Sequence, residues 1–376
     1  MRSQLAALCL IGLSGCSGGD DPPAAKALHA HHGLTCDFLG HRLSLVDLDA
    51  LHDGATRADA LVAEIDLGAY AAGPLDAEII PGTKLAMVSL SAGFFSLSVA
   101  GFLIGAEAIP ADPGKLLFVD LEAQKVVAEL DTGQHPMGIA ITHDGARAFV
   151  THFATPEIAV IDVKAQSVLE HVPVGFYSEE IELDDSGEVG IFSYSAFGNI
   201  RTFAASDFAG TLSREVELPG DAAGVAFFPG TKTAYVVQAP NPLTKALGGY
   251  TVVDASDPRD PKVLADVHTD TAPIAYPAVS VNARGSVVVP INNAGKLQVQ
   301  ELTLNSDNSV NVRQTIDAGS VNLLGAYGIS IDANGRLLMA VPALRQIVVV
   351  DLDAASAFGI PWEMDVAGPT DVIPVP

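Results

Sequence analysis

One frame recurs along this chain, and no other feature restricts its fold as much. A unit opens at His135-Pro136-Met137-Gly138-Ile139-Ala140-Ile141 and turns at Asp144-Gly145. It runs on through Ala148-Phe149-Val150 and Ile158-Ala159-Val160-Ile161-Asp162, then closes at Val172-Pro173-Val174-Gly175. Short alternating strands separated by turn residues read as antiparallel β-structure. Equivalent starts recur at Ala77-Glu78-Ile79-Ile80, Glu180-Ile181-Glu182-Leu183, Gly224-Val225-Ala226-Phe227, Ala278-Val279-Ser280-Val281 and Gly328-Ile329-Ser330-Ile331. The following turn is Pro81-Gly82-Thr83-Lys84 in one unit and Pro229-Gly230-Thr231-Lys232 in another. Elsewhere it is Asp185-Ser186-Gly187 or Asn334-Gly335, which tight hairpins favour. A second mark is an apolar run ending in Asp, at Asp47, Asp120, Asp162, Asp254 and Asp351.

Unit spacing of roughly 42 to 62 residues is that of propeller blades. Six units run from about Gly73 to Gly368. What remains is Pro369–Pro374 at one end, a strand with nothing after it. At the other end Thr35–Leu39, Leu43–Asp47 and Leu61–Asp66 lack an inner strand. Joined, they make one further blade shared by the two chain ends. The expected fold is all-β: a seven-bladed β-propeller, closed without open sheet edges. Composition agrees, with 49% hydrophobic but only 17% charged residues. That is too apolar for disorder. The formal net charge of −25 repels phosphate and argues against nucleic acid as a partner.

The pattern Pro-x-Gly-Ile-Ala, Asp-Gly, Ile-x-Val-Ile-Asp, Val-x-Val-Gly resembles the YVTN-type, or surface-layer-like, seven-bladed propellers. It is fullest from His135 to Gly175 and weaker elsewhere, where Asp76, Glu180, Ala278 or Asp371 stands in place of Gly138. The resemblance implies the fold. It leaves activity open, because relatives include surface proteins, lactonases and redox enzymes, and a propeller does not fix function.

The N-terminus reads as an address. Arg2 precedes the short apolar run Leu5–Leu13, and Leu13-Ser14-Gly15-Cys16 resembles the bacterial lipobox. The run is too short to span a bilayer as a mature helix and suits a signal peptide. The resemblance implies a signal peptide over 1–15, lipidation of Cys16, and a polar tether over 16–33 leading to the propeller at 34–376. Several acyl chains make a lasting membrane anchor. Ser17 after the lipidated cysteine implies an outer-membrane, cell-envelope location in a Gram-negative host. Cys36 is then left without a disulfide partner and reads as a buried small hydrophobe.

Three places are candidates for function. In a propeller the innermost strands meet around a channel, and the equivalent positions are Asp76, Gly138, Glu180, Gly224, Ala278, Gly328 and Asp371. Glu78, Glu182, His135 and Glu179 are close by in sequence. The candidate ligands at the channel mouth are Asp76, Glu78, His135, Glu179, Glu180 and Asp371. Converging carboxylates repel unless a cation or water lies between them. Either each acid accepts backbone N–H bonds or is solvated at the strand start, or the group holds a divalent cation such as Ca, Mg or Zn. The second candidate is His29-Ala30-His31-His32, which reads either as the polar end of the tether or as a place where a transition metal is held on the arm. The third is the uncharged stretch Leu85–Ala106, whose excess over the repeat, around Phe94–Ile104, would cover the channel mouth, dock a protein partner or membrane, or only pad the blade edge.

No Gly-x-Ser-x-Gly, Walker loop or His-Glu-x-x-His occurs. The leading expectation is a lipid-anchored, non-enzymatic binding protein of the cell envelope. The alternatives are metal binding or transfer through His29, His31, His32 and the channel acids, and a metal-dependent lactonase-like hydrolase.

Overall fold

The computed structural model describes residues 28, 31–91, 114–194, 198–240, 248–269, 274–275, 278–320, 328–341, 344–361 and 369–375. Cys16, His29 and the Phe94–Ile104 stretch lie outside the described residues. Seven small antiparallel sheets form a closed ring, a seven-bladed β-propeller.

The first blade joins the two chain ends. Its inner strand is Pro369–Val375, followed outward by His32–Asp37, Arg42–Asp47 and Leu61–Asp66. Leu34 pairs with Ile373, Thr35 with Val372 and Cys36 with Asp371. The first strand starts at His32 rather than Thr35, because the C-terminal strand supplies partners for His32 and Gly33.

The next blades begin with inner strands Gly73–Ile79, Pro136–Ile141, Ile181–Leu183 and Asp221–Phe227. The sixth uses two short pieces, Ile274–Ala275 and Val279–Val281, on one second strand, Ser286–Asn293. The seventh starts at Ile329–Ile331.

Each interface between blades holds its own apolar cluster. Alternate residues of one strand face opposite neighbours. Val287 and Val289 pack toward the fifth blade, and Val288 packs toward the seventh. Strands buried on both faces account for a chain that is apolar with few charges.

The recurrent Asp closes a turn. Asp120 Oδ1 accepts from Ala123 N at 2.8 Å, Asp162 Oδ1 from Ala165 N at 2.8 Å, and Asp351 Oδ1 from Asp353 N and Ala354 N at 2.9 and 2.8 Å. The next residue, Gln124, Gln166 or Ala355, takes a left-handed φ of 52°, 50° or 51°. That aims the outer strand back along the blade. These acids are structural.

Candidate functional site

All seven inner strands contribute to one central cavity of about 110 Å³. That is room for several water molecules. Asp76, Glu78, Glu179, Glu180, Glu182 and Asp371 line it. No lysine, arginine or histidine is among its described lining residues. Five of the six channel candidates therefore come together. His135 does not line the cavity: it is buried before the third blade, with a left-handed φ of 53° and Nδ1 3.4 Å from Ser91 Oγ. Glu182, outside the candidate set, belongs in it. Its signal was present, since it stands two residues after Glu180 as Glu78 stands two after Asp76.

The two aspartates share a geometry. Asp371 Oδ2 accepts from Ala77 N at 3.1 Å, and Asp76 Oδ2 accepts from Ile139 N at 2.8 Å. Each reaches from its own blade to the next, one residue past the equivalent position. A short side chain there brackets two inner strands. Gly138, at the same position, has none. Thr151 Oγ1 instead accepts from Gly138 N at 2.9 Å and donates to Glu179 O at 2.6 Å, linking the third blade to the fourth. For the aspartates, hydrogen bonding to backbone N–H groups at the strand start is thus realised. Among the described residues, Glu180 shows no such bracket.

Burial pushes these acids up. Glu180 rises to about 8 through burial first, then the nearby charges of Glu179, Glu182 and Asp371. Glu182 rises to about 7, mainly through burial. Asp371 also rises to about 7 by burial, partly offset by the N–H groups of Val372 and Ala77. Asp76 and Glu78 are raised well above the usual carboxylate range, by burial and then by neighbouring carboxylates. Low dielectric and like charges both favour the neutral acid. Near neutral pH the cavity is lined by carboxyl groups poised to take or release protons.

The ring is two-sided. Beside the equivalent positions, the second strands of the first four blades offer Cys36, Ser89, Thr151 and Ser193. The last three offer Val237, Val289 and Ala340 next to Gly224, Ala278 and Gly328. One side is acidic and polar, the other small and apolar. Below, a wider funnel of about 770 Å³ shares Glu78 and Glu182 with the cavity and is lined by Asn282, Arg284 and Asp332.

The arm histidines part company. His32 is buried in the first strand, and His31 is half exposed with Nδ1 2.9 Å from Asp49 Oδ2. Among the described residues, no three His, Cys, Asp or Glu side chains form a metal-holding group. Cys36 is free and buried, its thiol pushed up by burial and then by Asp371, Asp76 and Asp37. Among the described residues, no helix is long and apolar enough to cross a membrane.

No protein-family model matches the chain. No curated protein matches it either. Solved structures do. A functionally unknown protein from Desulfotomaculum acetoxidans aligns with a TM-score of 0.67 at 15% identity, covering 92% of this chain and 98% of that one. Dihydro-heme d1 dehydrogenase NirN aligns with a TM-score of 0.57 at 12% identity, over 94% of this chain and 77% of that one. Hydrazine synthase from Kuenenia stuttgartiensis aligns with a TM-score of 0.56 at 17% identity, over 74% and 77%. At such identities the likeness shows the propeller fold alone, and these neighbours differ in function.

Proposed function

We propose that this chain is a lipid-anchored propeller of the cell envelope that binds a ligand or partner without chemistry, at its acid-lined channel. The observation that carries the binding role is the composition of the channel wall. Carboxyl groups crowd it, no cationic side chain is among the described lining residues, and those residues include no Ser, Thr, Cys, Lys or His. Such a wall attracts a positive or hydrogen-bonding guest, and carboxylates are the only nucleophilic side chains among its described lining residues,. The anchor rests on Leu13-Ser14-Gly15-Cys16, and Ser17 favours the outer membrane.

Two measurements test this reading. Labelling cells with an alkyne fatty acid should mark the chain, and Cys16→Ser should abolish the label and release the protein from membranes. An unlabelled wild-type chain removes the anchor. Purified protein should not turn over lactones or small esters; enzyme-like rates that Glu180→Gln abolishes would replace binding with hydrolysis.

A divalent cation is the second reading, favoured by a cavity wall with six carboxyl groups and no cationic side chain among its described lining residues. Elemental analysis of protein purified without chelator decides it. Stoichiometric calcium, magnesium or zinc supports it, and no metal ends it.

A further inference from the structure

The channel rim over the third and fourth blades differs from the rest. Leu75 and Met137 line the cavity and cluster with Phe38, and Phe153 packs against that cluster. Phe153 meets Tyr194 edge-on at 6.1 Å between ring centroids, and Tyr177 meets Tyr194 in a T-shape at 6.0 Å. Tyr177 is 41% exposed. A series of aromatic contacts therefore runs from Phe153, packed behind the lining residues Leu75 and Met137, out to the exposed Tyr177. The acids stand beside it. Burial and then the charge of Glu179 push the Tyr194 hydroxyl up to about 12, so that carboxylate acts on the hydroxyl through its charge.

A second observation lies at the same spot. Ser178 and Ser193 are fully buried, and their hydroxyls make no hydrogen bond with any described residue. They flank Glu179, whose N–H donates to Ser193 O at 2.9 Å. Buried hydroxyls normally have a partner. Two buried hydroxyls on residues that adjoin the Glu179 backbone are thus left for a guest or ordered water to complete.

We infer that this rim is a binding site for a small organic ammonium ion, held by Glu179 and Glu180 and by the wall of Phe153, Tyr177 and Tyr194. The inference rests on the reading of the channel as a ligand site and names the ligand class. Aromatic faces attract cations. Bare calcium needs six to eight oxygens around it, whereas an alkylammonium suits carboxylates on one side and carbon on the other. Val225 and Ile329 supply carbon across the cavity. Because the empty site favours neutral Glu180, a cation that enters displaces a proton. Binding strengthens as pH rises toward 8,.

Isothermal titration of the full chain with choline chloride at constant ionic strength tests this. Its neutral isostere 3,3-dimethyl-1-butanol is the control. Choline should saturate and the alcohol should not. The measured heat should vary with the ionisation heat of the buffer, showing proton release. Tyr177→Ala, at an exposed position, should weaken choline binding roughly 2- to 30-fold with unchanged thermal unfolding. Glu180→Gln should weaken it about tenfold or more and remove the proton release. No saturation with choline, equal binding of the alcohol, or wild-type affinity in both variants overturns the inference. Calcium separates the two readings. Calcium binding that Glu180→Gln abolishes, without choline binding, ends the ammonium site and leaves the channel as a ligand site.

Discussion

At one ring position, the length of a side chain decides whether an acid is structural or available. Asp76 and Asp371 are short enough to cap an N–H of the next blade, whereas among the described residues Glu180 on the fourth blade shows no such cap. The seventh blade carries the counterpart of this arrangement. A Cβ at Gly328 would lie 2.1 Å from Asp371 Oδ1 and 2.6 Å from its Cα. The clash involves backbone as well as side chain, so rotation of one bond cannot relieve it. Gly328→Ala should push the C-terminal strand outward and cost about 1–3 kcal/mol. Urea unfolding reads that loss directly. Wild-type stability in this variant would mean that Asp371 is not held against the seventh blade.

At the scale of elements, the strand Pro369–Val375 is what closes the ring. Its Val372 packs in the cluster between the seventh and first blades, and its Ile373 and Val375 pack in the cluster between the first and second. Deleting residues 369–376 removes one inner strand and opens two interfaces. The chain should lose its sharp thermal transition and associate, because exposed strand edges pair with other copies. Calorimetry and size-exclusion chromatography would show it, and a monomer melting as wild type would refute the clasp. This closure was legible because Thr35–Leu39, Leu43–Asp47 and Leu61–Asp66 left an inner strand wanting. The start at His32 was not, since its partners lie at the far end of the chain. Local turn residues such as Asp144-Gly145 and Asn334-Gly335 marked hairpins well, each glycine taking a left-handed φ of 66° and 76°. Most of the channel set was legible. Position in the repeat located Asp76, Glu180 and Asp371, and nearness in sequence added Glu78 and Glu179, but it also drew in His135, which a left-handed φ holds outside the cavity lining. The raised acidity constants could not be read at all, because they arise only when the ring closes and removes water from the strands.

For the whole molecule, these acids set how stability depends on pH. Glu180, Glu182 and Asp371 move from ordinary carboxylate values to about 8, 7 and 7, and Asp76 and Glu78 also rise. The folded state thus binds more protons than the unfolded chain between about pH 4 and pH 8. Stability falls with pH wherever the native state holds the extra protons. Their contribution is complete below the unfolded values and is lost as pH rises through the folded ones. His152 opposes this. Burial lowers it to about 4, so its stabilising effect is present above its unfolded value and fades as pH falls toward 4. One histidine faces five acids, so the acids prevail. Unligated protein should melt highest near pH 4 to 5, roughly, and several degrees lower at pH 8. The double variant Glu180→Gln/Glu182→Gln should flatten that slope, and a bound cation should restore stability at pH 8 but not at pH 5. A melting temperature that rises from pH 5 to pH 8 would show that the carboxyl groups are ionised and already compensated. The acidic wall would then be solvated rather than poised for a guest.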